Sequence, residues 1–101
     1  MKKIINGKKY DTTTAKRIGF YSNGYPYTDF RWCEETLYQK INGEYFIMGE
    51  GGAMSEYAKE LFDKITHGSD IIPFDLEDAM HWCEKHLSVE MYEEIFGEVS
   101  E

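Results

Sequence analysis

Apolar and polar positions along this chain follow two different periods, and each period predicts its own kind of element. Near the start, Ile4-Ile5 and Lys8-Lys9-Tyr10 flank Asn6-Gly7, a pair that tolerates positive φ at both positions and so predicts a tight hairpin turn. Asp11 or Thr12 offers a cap for a short helix closed by Gly19, with Ala15 and Ile18 facing inward. Residues 20–30 mix turn formers with five aromatics, Phe20, Tyr21, Tyr25, Tyr27 and Phe30, which predicts an ordered aromatic loop. Two β-rich runs follow, Thr36–Ile41 and Glu44–Met48, joined by Asn42-Gly43 in the sense of a type I′ turn. Alternation there puts Leu37, Gln39 and Ile41 on one face and Tyr38 and Lys40 on the other, without saying which face is buried.

Beyond Gly49-Glu50-Gly51-Gly52 the period changes. Met54, Tyr57, Ala58, Leu61, Phe62 and Ile65 recur at helical spacing, which predicts an amphipathic helix ended by Gly68. Ile71-Ile72-Pro73-Phe74 reads as a short strand, and its proline favours a sheet edge. Asp75, with Asp78 three residues on, caps a helix whose inward stripe is Leu76, Ala79, Met80, Cys83 and Leu87. Ser88 caps a last helix in which Val89, Tyr92, Ile95 and Phe96 face inward and Glu90, Glu93 and Glu94 outward, before Gly97 stops it. The expected architecture is α+β: one domain over residues 1–101, with a small antiparallel sheet around a central Asn-Gly hairpin. About three helices cover it, two of them consecutive at the C-terminus.

Charge adds what periodicity leaves out. The 101 residues carry 11 Lys+Arg and 19 Asp+Glu, a formal charge of -8. Residues 1–17 hold six bases against Asp11, whereas residues 75–101 hold nine acids against Lys85 alone. An acidic chain is a poor general nucleic-acid binder, because phosphate affinity comes largely from cations. It suits a basic partner better. No apolar run approaches the roughly 20 residues of a membrane span, and the Lys-rich start lacks the apolar core of a signal peptide. A soluble, cytoplasmic protein is therefore expected, with Cys33 and Cys83 as reduced thiols.

Candidate chemistry is sparse. His81, Cys83 and His86 are close in sequence, but on a helix His81 and Cys83 lie about 160° apart and cannot share an ion. No metal or cofactor is expected. Gly49, Gly51 and Gly52 follow a strand, yet Ala53-Met54 stands where a phosphate loop needs Lys-Ser/Thr, so a bulge or sharp turn is the expected role. Cys33 beside a histidine, or Ser55 with His67, would make a nucleophile pair only through the fold; no local motif supports either, and no catalytic residue is assigned. Glu34-Glu35 and Glu93-Glu94 read as solvated acid pairs. Two binding candidates remain. Glu77, Asp78, Glu84, Glu90, Glu93 and Glu94 form an acidic face that can compete for a cationic groove. Lys8, Lys9, Arg17, Tyr21 and Tyr25 form a smaller set that can stack on and clamp single-stranded RNA, unless the tyrosines simply pack on the sheet.

Several stretches carry a resemblance over nearly the whole chain. They are 4–12 (Ile4 to Thr12), 33–38 (Cys33 to Tyr38), 43–46 (Gly43 to Phe46), 49–55 (Gly49 to Ser55), 71–74 (Ile71 to Phe74) and 82–96 (Trp82 to Phe96). With them the chain resembles a family of small proteins encoded on plasmids, prophages and conjugative elements of Gram-positive bacteria. It also looks like the type II-A anti-CRISPR proteins that such elements carry. The resemblance implies a bacterial cytosolic setting and a partner, Cas9 or its complex with guide RNA, but no catalytic motif and no site residues. Cas9 holds nucleic acid in a positively charged channel. An acidic domain is physically suited to occupy that channel or to block guide loading, and the alternatives are a protein that binds or cuts guide RNA and a binding module with no link to CRISPR.

Overall fold

Turn chemistry steers the first part of the chain. In the computed structural model, which describes residues 1–101, strand β1 (Lys2–Ile5) pairs antiparallel with β2 (Lys8–Asp11), and Ile5 opposite Lys8 is the last pair. Asn6 (φ 51) and Gly7 (φ 77) therefore form the two-residue turn their sequence favours. The helix expected from Asp11 or Thr12 to Gly19 does not form. The Asp11 carboxylate accepts from the Thr13 amide (2.9 Å) and hydroxyl (2.7 Å), and Ala15 N–H reaches the Asp11 carbonyl. These bonds close a single turn, and the chain then enters β3 (Lys16–Ser22). Threonines that bond locally compete with a helix in this way. Gly19 lies within β3, where an added Cβ would stand 3.1 Å from Leu87 and 3.2 Å from Trp82, so it serves close packing and stops no helix.

A four-stranded antiparallel sheet follows, in the order β3, β4 (Cys33–Gln39), β5 (Tyr45–Gly51) and β8 (Gly68–Phe74). The connection between β4 and β5 differs from a type I′ turn. Gly43 N–H bonds the Lys40 carbonyl (2.9 Å) and Lys40 N–H the Glu44 carbonyl (2.7 Å), and only Gly43 (φ 94) is left-handed. The loop is thus Ile41-Asn42-Gly43, with Asn42 turned back to accept from the Glu44 amide. Leu37 faces the helices and is fully buried, while Ile41, expected on the same face, sits exposed in the turn. Pro73 lies on β8 at the sheet edge, where a missing N–H is tolerated.

The helix expected over residues 54–65 is replaced by a ribbon, β6 (Lys59–Leu61) with β7 (Lys64–Thr66), closed at Phe62-Asp63. The loop before it is tied to residues 23–32 by Gly52 N–H to the Trp32 carbonyl and Met54 N–H to the Phe30 carbonyl, both 2.8 Å. Of the apolar positions read as a helical stripe, Tyr57 is buried, whereas Met54, Leu61, Phe62 and Ile65 are exposed. Phe62 (φ 50) and Asp63 (φ 61) occupy the left-handed region that Asn-Gly would fill at far lower cost. Replacing the pair by Phe62→Asn with Asp63→Gly is expected to stabilise the fold by about 1 kcal/mol, a rise of roughly 4–8 °C in Tm by calorimetry. An unchanged or lower Tm would contradict this account of the turn.

Helix α1 (Leu76–His86) begins with a reciprocal cap. Asp78 N–H donates to the Asp75 carboxylate (2.7 Å) and Asp75 N–H to that of Asp78 (3.1 Å). Its buried residues are Ala79, Trp82 and Cys83, so the inward stripe is rotated toward Trp82 and leaves Leu76 exposed. Helix α2 (Val89–Phe96) starts at Ser88, whose hydroxyl accepts from Met91 N–H, and ends at Gly97 (φ 95). There are two helices, and both lie at the C-terminal end. They cover one face of the sheet through Leu37, Ile47, Ala79, Trp82 and Cys83; the β1–β2 hairpin covers the other through Tyr10, Phe46 and Ile71. No helix is long and apolar enough to cross a membrane.

Candidate functional site

Acidic side chains dominate the helical end. Glu77 and Glu84 lie two turns apart on α1, and Glu90 and Glu94 share a face of α2 at a spacing of four. Glu84 and Glu93 line one groove between the helices. Asp78 is occupied by the α1 cap, and Glu93 accepts from the Val99 amide at 2.9 Å. None of these six carboxylates is in an ion pair.

Four of the bases are paired. Lys3 pairs with Asp70 (2.5 Å), Lys8 and Lys40 with Glu44 (2.6 and 3.0 Å), and Arg31 with Asp29 (2.9 Å). Hydrogen bonds from Lys8, Lys40 and Asn42 hold Glu44 near pKa 2, and Arg31 does the same to Asp29. Arg17 lies over the Phe20 ring and Arg31 over Tyr25. The candidate RNA contacts are dispersed. Lys8 and Lys9 are on the hairpin that covers one sheet face, while Tyr21 packs on the helix side, with its ring centroid 3.8 Å from that of His86.

Sequence reasoning missed the most elaborate polar cluster. Glu35 alternates with Cys33 and Leu37 on the helix-facing side of β4, so it points inward and is only 7% exposed. Its carboxylate accepts from the Tyr57 hydroxyl and from Trp82 Nε1–H (3.0 Å), and His86 Nε2 stands 3.9 Å away. Gly49 is directly opposite Glu35 on β5, and its missing Cβ is what admits Tyr57: a methyl there would lie 2.0 Å from the phenol ring. Glu35, Glu56, Lys85 and His86 border a cavity of about 340 Å³. Strand alternation from Leu37 is the one signal in the sequence that marks Glu35 as inward.

The other candidates separate. Ser55 donates to the Gly52 carbonyl (2.7 Å) and does not meet His67. Burial, then the charge of Glu35, pushes the Cys33 thiol up to about 11, and burial alone does the same to Cys83, so both are protonated near neutrality and poor nucleophiles. No three of the His, Cys, Asp and Glu side chains are placed to hold a metal ion. Gly51 and Gly52 admit Ser55 and the Phe30 carbonyl against the backbone.

No family model, curated protein or solved structure matches the chain. Geometry and charge therefore carry the functional reading.

The cluster also gives the fold a pH dependence. Burial holds the His86 pKa below its ordinary 6.5, with Glu35 opposing and Lys85 reinforcing the shift. The unfolded chain then takes up this proton first, so stability falls as pH drops through 6.5. Glu56 has the reverse sign at lower pH. Burial, then Glu35, raises it above 4.5, so its contribution is full below 4.5 and is lost as pH rises through the raised value. The urea midpoint is expected to fall between about pH 7.5 and about pH 6, and His86→Gln to flatten that limb. A slope that persists in the variant would assign it to other groups.

Proposed function

We propose that this chain is a non-enzymatic inhibitor that engages a strongly basic protein through the acidic side chains of α1 and α2. The supporting observation is unpaired negative charge: of the N-terminal bases Lys3 and Lys8 are held by Asp70 and Glu44, whereas Glu77, Glu84, Glu90, Glu93 and Glu94 at the helical end make no ion pair. Their field is available to steer and hold a cationic surface. Combined with the resemblance to anti-CRISPR proteins of mobile elements, it makes Cas9, free or loaded with guide RNA in the bacterial cytosol, the proposed partner. The alternative of direct guide-RNA binding or cutting would draw on Lys8, Lys9, Arg17, Tyr21 and Tyr25, which do not share one face.

Reversing Glu90, Glu93 and Glu94 to lysine together is expected to weaken inhibition of Cas9 cleavage at least about tenfold, with helicity retained by circular dichroism. Full inhibition by a folded triple variant would reject the acidic-surface reading. A gel shift of labelled guide RNA by this protein alone would favour the RNA alternative.

A further inference from the structure

The loop from α1 to α2 leaves a groove of about 330 Å³ whose walls are apolar and whose rim is acidic. Leu87, Val89, Tyr92 and Val99 line it, and Glu84 and Glu93 stand beside them. Val89 and Val99 are 70% and 60% exposed, although each borders this recess. The C-terminal tail is held in place as one wall, because the Val99 amide donates to Glu93. From Leu87 to Glu101 the chain has five glutamates and no Lys, Arg or His. Apolar side chains thus stand open between two carboxylates, Glu84 and Glu93, that make no ion pair.

We infer that this groove docks a basic amphipathic helix of a protein partner. A large apolar side chain of that helix inserts between Val89 and Val99, and lysine or arginine a turn to either side reaches Glu84 and Glu93. Helix-in-groove recognition needs this combination of an apolar slot and complementary rim charge. The helices of a second copy are poor occupants, since both belong to the same acidic end of the chain. The inference rests on the acidic-surface reading above and gives it a defined anchor.

The test uses the full ¹⁵N-labelled chain titrated with three synthetic 14-residue peptides: an amphipathic Leu/Lys helix, its Leu/Glu counterpart, and a Lys/Ser peptide of equal positive charge. The Leu/Lys helix is expected to shift the amides of Leu87, Val89, Tyr92 and Val99 and to bind at least about tenfold more tightly than Lys/Ser, with no binding of Leu/Glu. Val89→Ser combined with Val99→Ser, at exposed positions, should erase that tenfold preference. Equal binding of the two cationic peptides, shifts centred elsewhere, or an indifferent double variant would each overturn the groove. A Cas9 assay separates the two readings. Inhibition lost on charge reversal but kept by the valine variant leaves the acidic surface standing without the groove, whereas specific peptide docking without Cas9 inhibition leaves the groove standing without Cas9.

Discussion

Gly49→Ala is expected to destabilise this protein by about 3 kcal/mol, a fall in Tm of more than roughly 10 °C, although it adds one methyl group. The three atoms nearest that methyl all belong to the Tyr57 phenol, at 2.0 to 2.5 Å, so the ring must leave. Its departure exposes a side chain that is 5% exposed in the native fold, worth about 1.5–3 kcal/mol. It also removes a hydrogen bond to the Glu35 carboxylate, worth about 1.5–3 kcal/mol. Relaxation of the 52–58 loop offsets part of that sum. Specificity is checked by repeating the substitution on a Tyr57→Ala background, where its further cost should be small because the three nearest atoms are all the phenol's. A Tm within about 2 °C of the parent would show that Tyr57 does not occupy this position.

The second large effect concerns Trp82. Trp82→Ala is expected to cost about 3–5 kcal/mol in urea denaturation, as for other buried tryptophans. Its ring packs with Leu37, Ile47, Ala79 and Cys83 and lies against Gly19. Trp82→Phe isolates the polar part. It keeps an aromatic ring but removes the N–H that Glu35 accepts, at an expected cost of about 1.5–3 kcal/mol because the acceptor is charged. If Trp82→Phe is neutral while Trp82→Ala is not, the residue acts through packing alone and Glu35 does not depend on it.

What the sequence made legible was local. Asn6-Gly7, the Asp75 and Ser88 caps and the Gly97 stop each act within a few residues, and each predicted element boundary lies close to the observed one. Two expected helices do not form, each for its own reason. Asp11 with three threonines offered a cap, and 54–65 offered a helical spacing, but local side-chain bonds won at the first and a partner that no linear pattern encodes won at the second. Asp11 bonds its own loop, and Tyr57 crosses to Glu35 over a glycine whose purpose is visible only once β4 and β5 are paired. Asn42-Gly43 shows the same limit at smaller scale: the Lys40–Glu44 pair and the Asn42 side chain select a three-residue loop where the dipeptide alone favours two. The acidic face was legible because charge is read directly from the sequence, whereas the Glu35 cluster was not, since its members are 22 and 47 positions away.

Those separations bear on the order of folding. The β4–β5 ribbon closes a short loop and can form early, but Glu35 meets Tyr57 only after the chain has passed β5, and Trp82 only after it has returned as β8 and wound into α1. Long-range contacts of this kind bear the greatest loop-closure cost and tend to form after the main barrier. The carboxylate then works as a latch: weakening it should chiefly hasten opening of the native state and leave the refolding rate nearly unchanged.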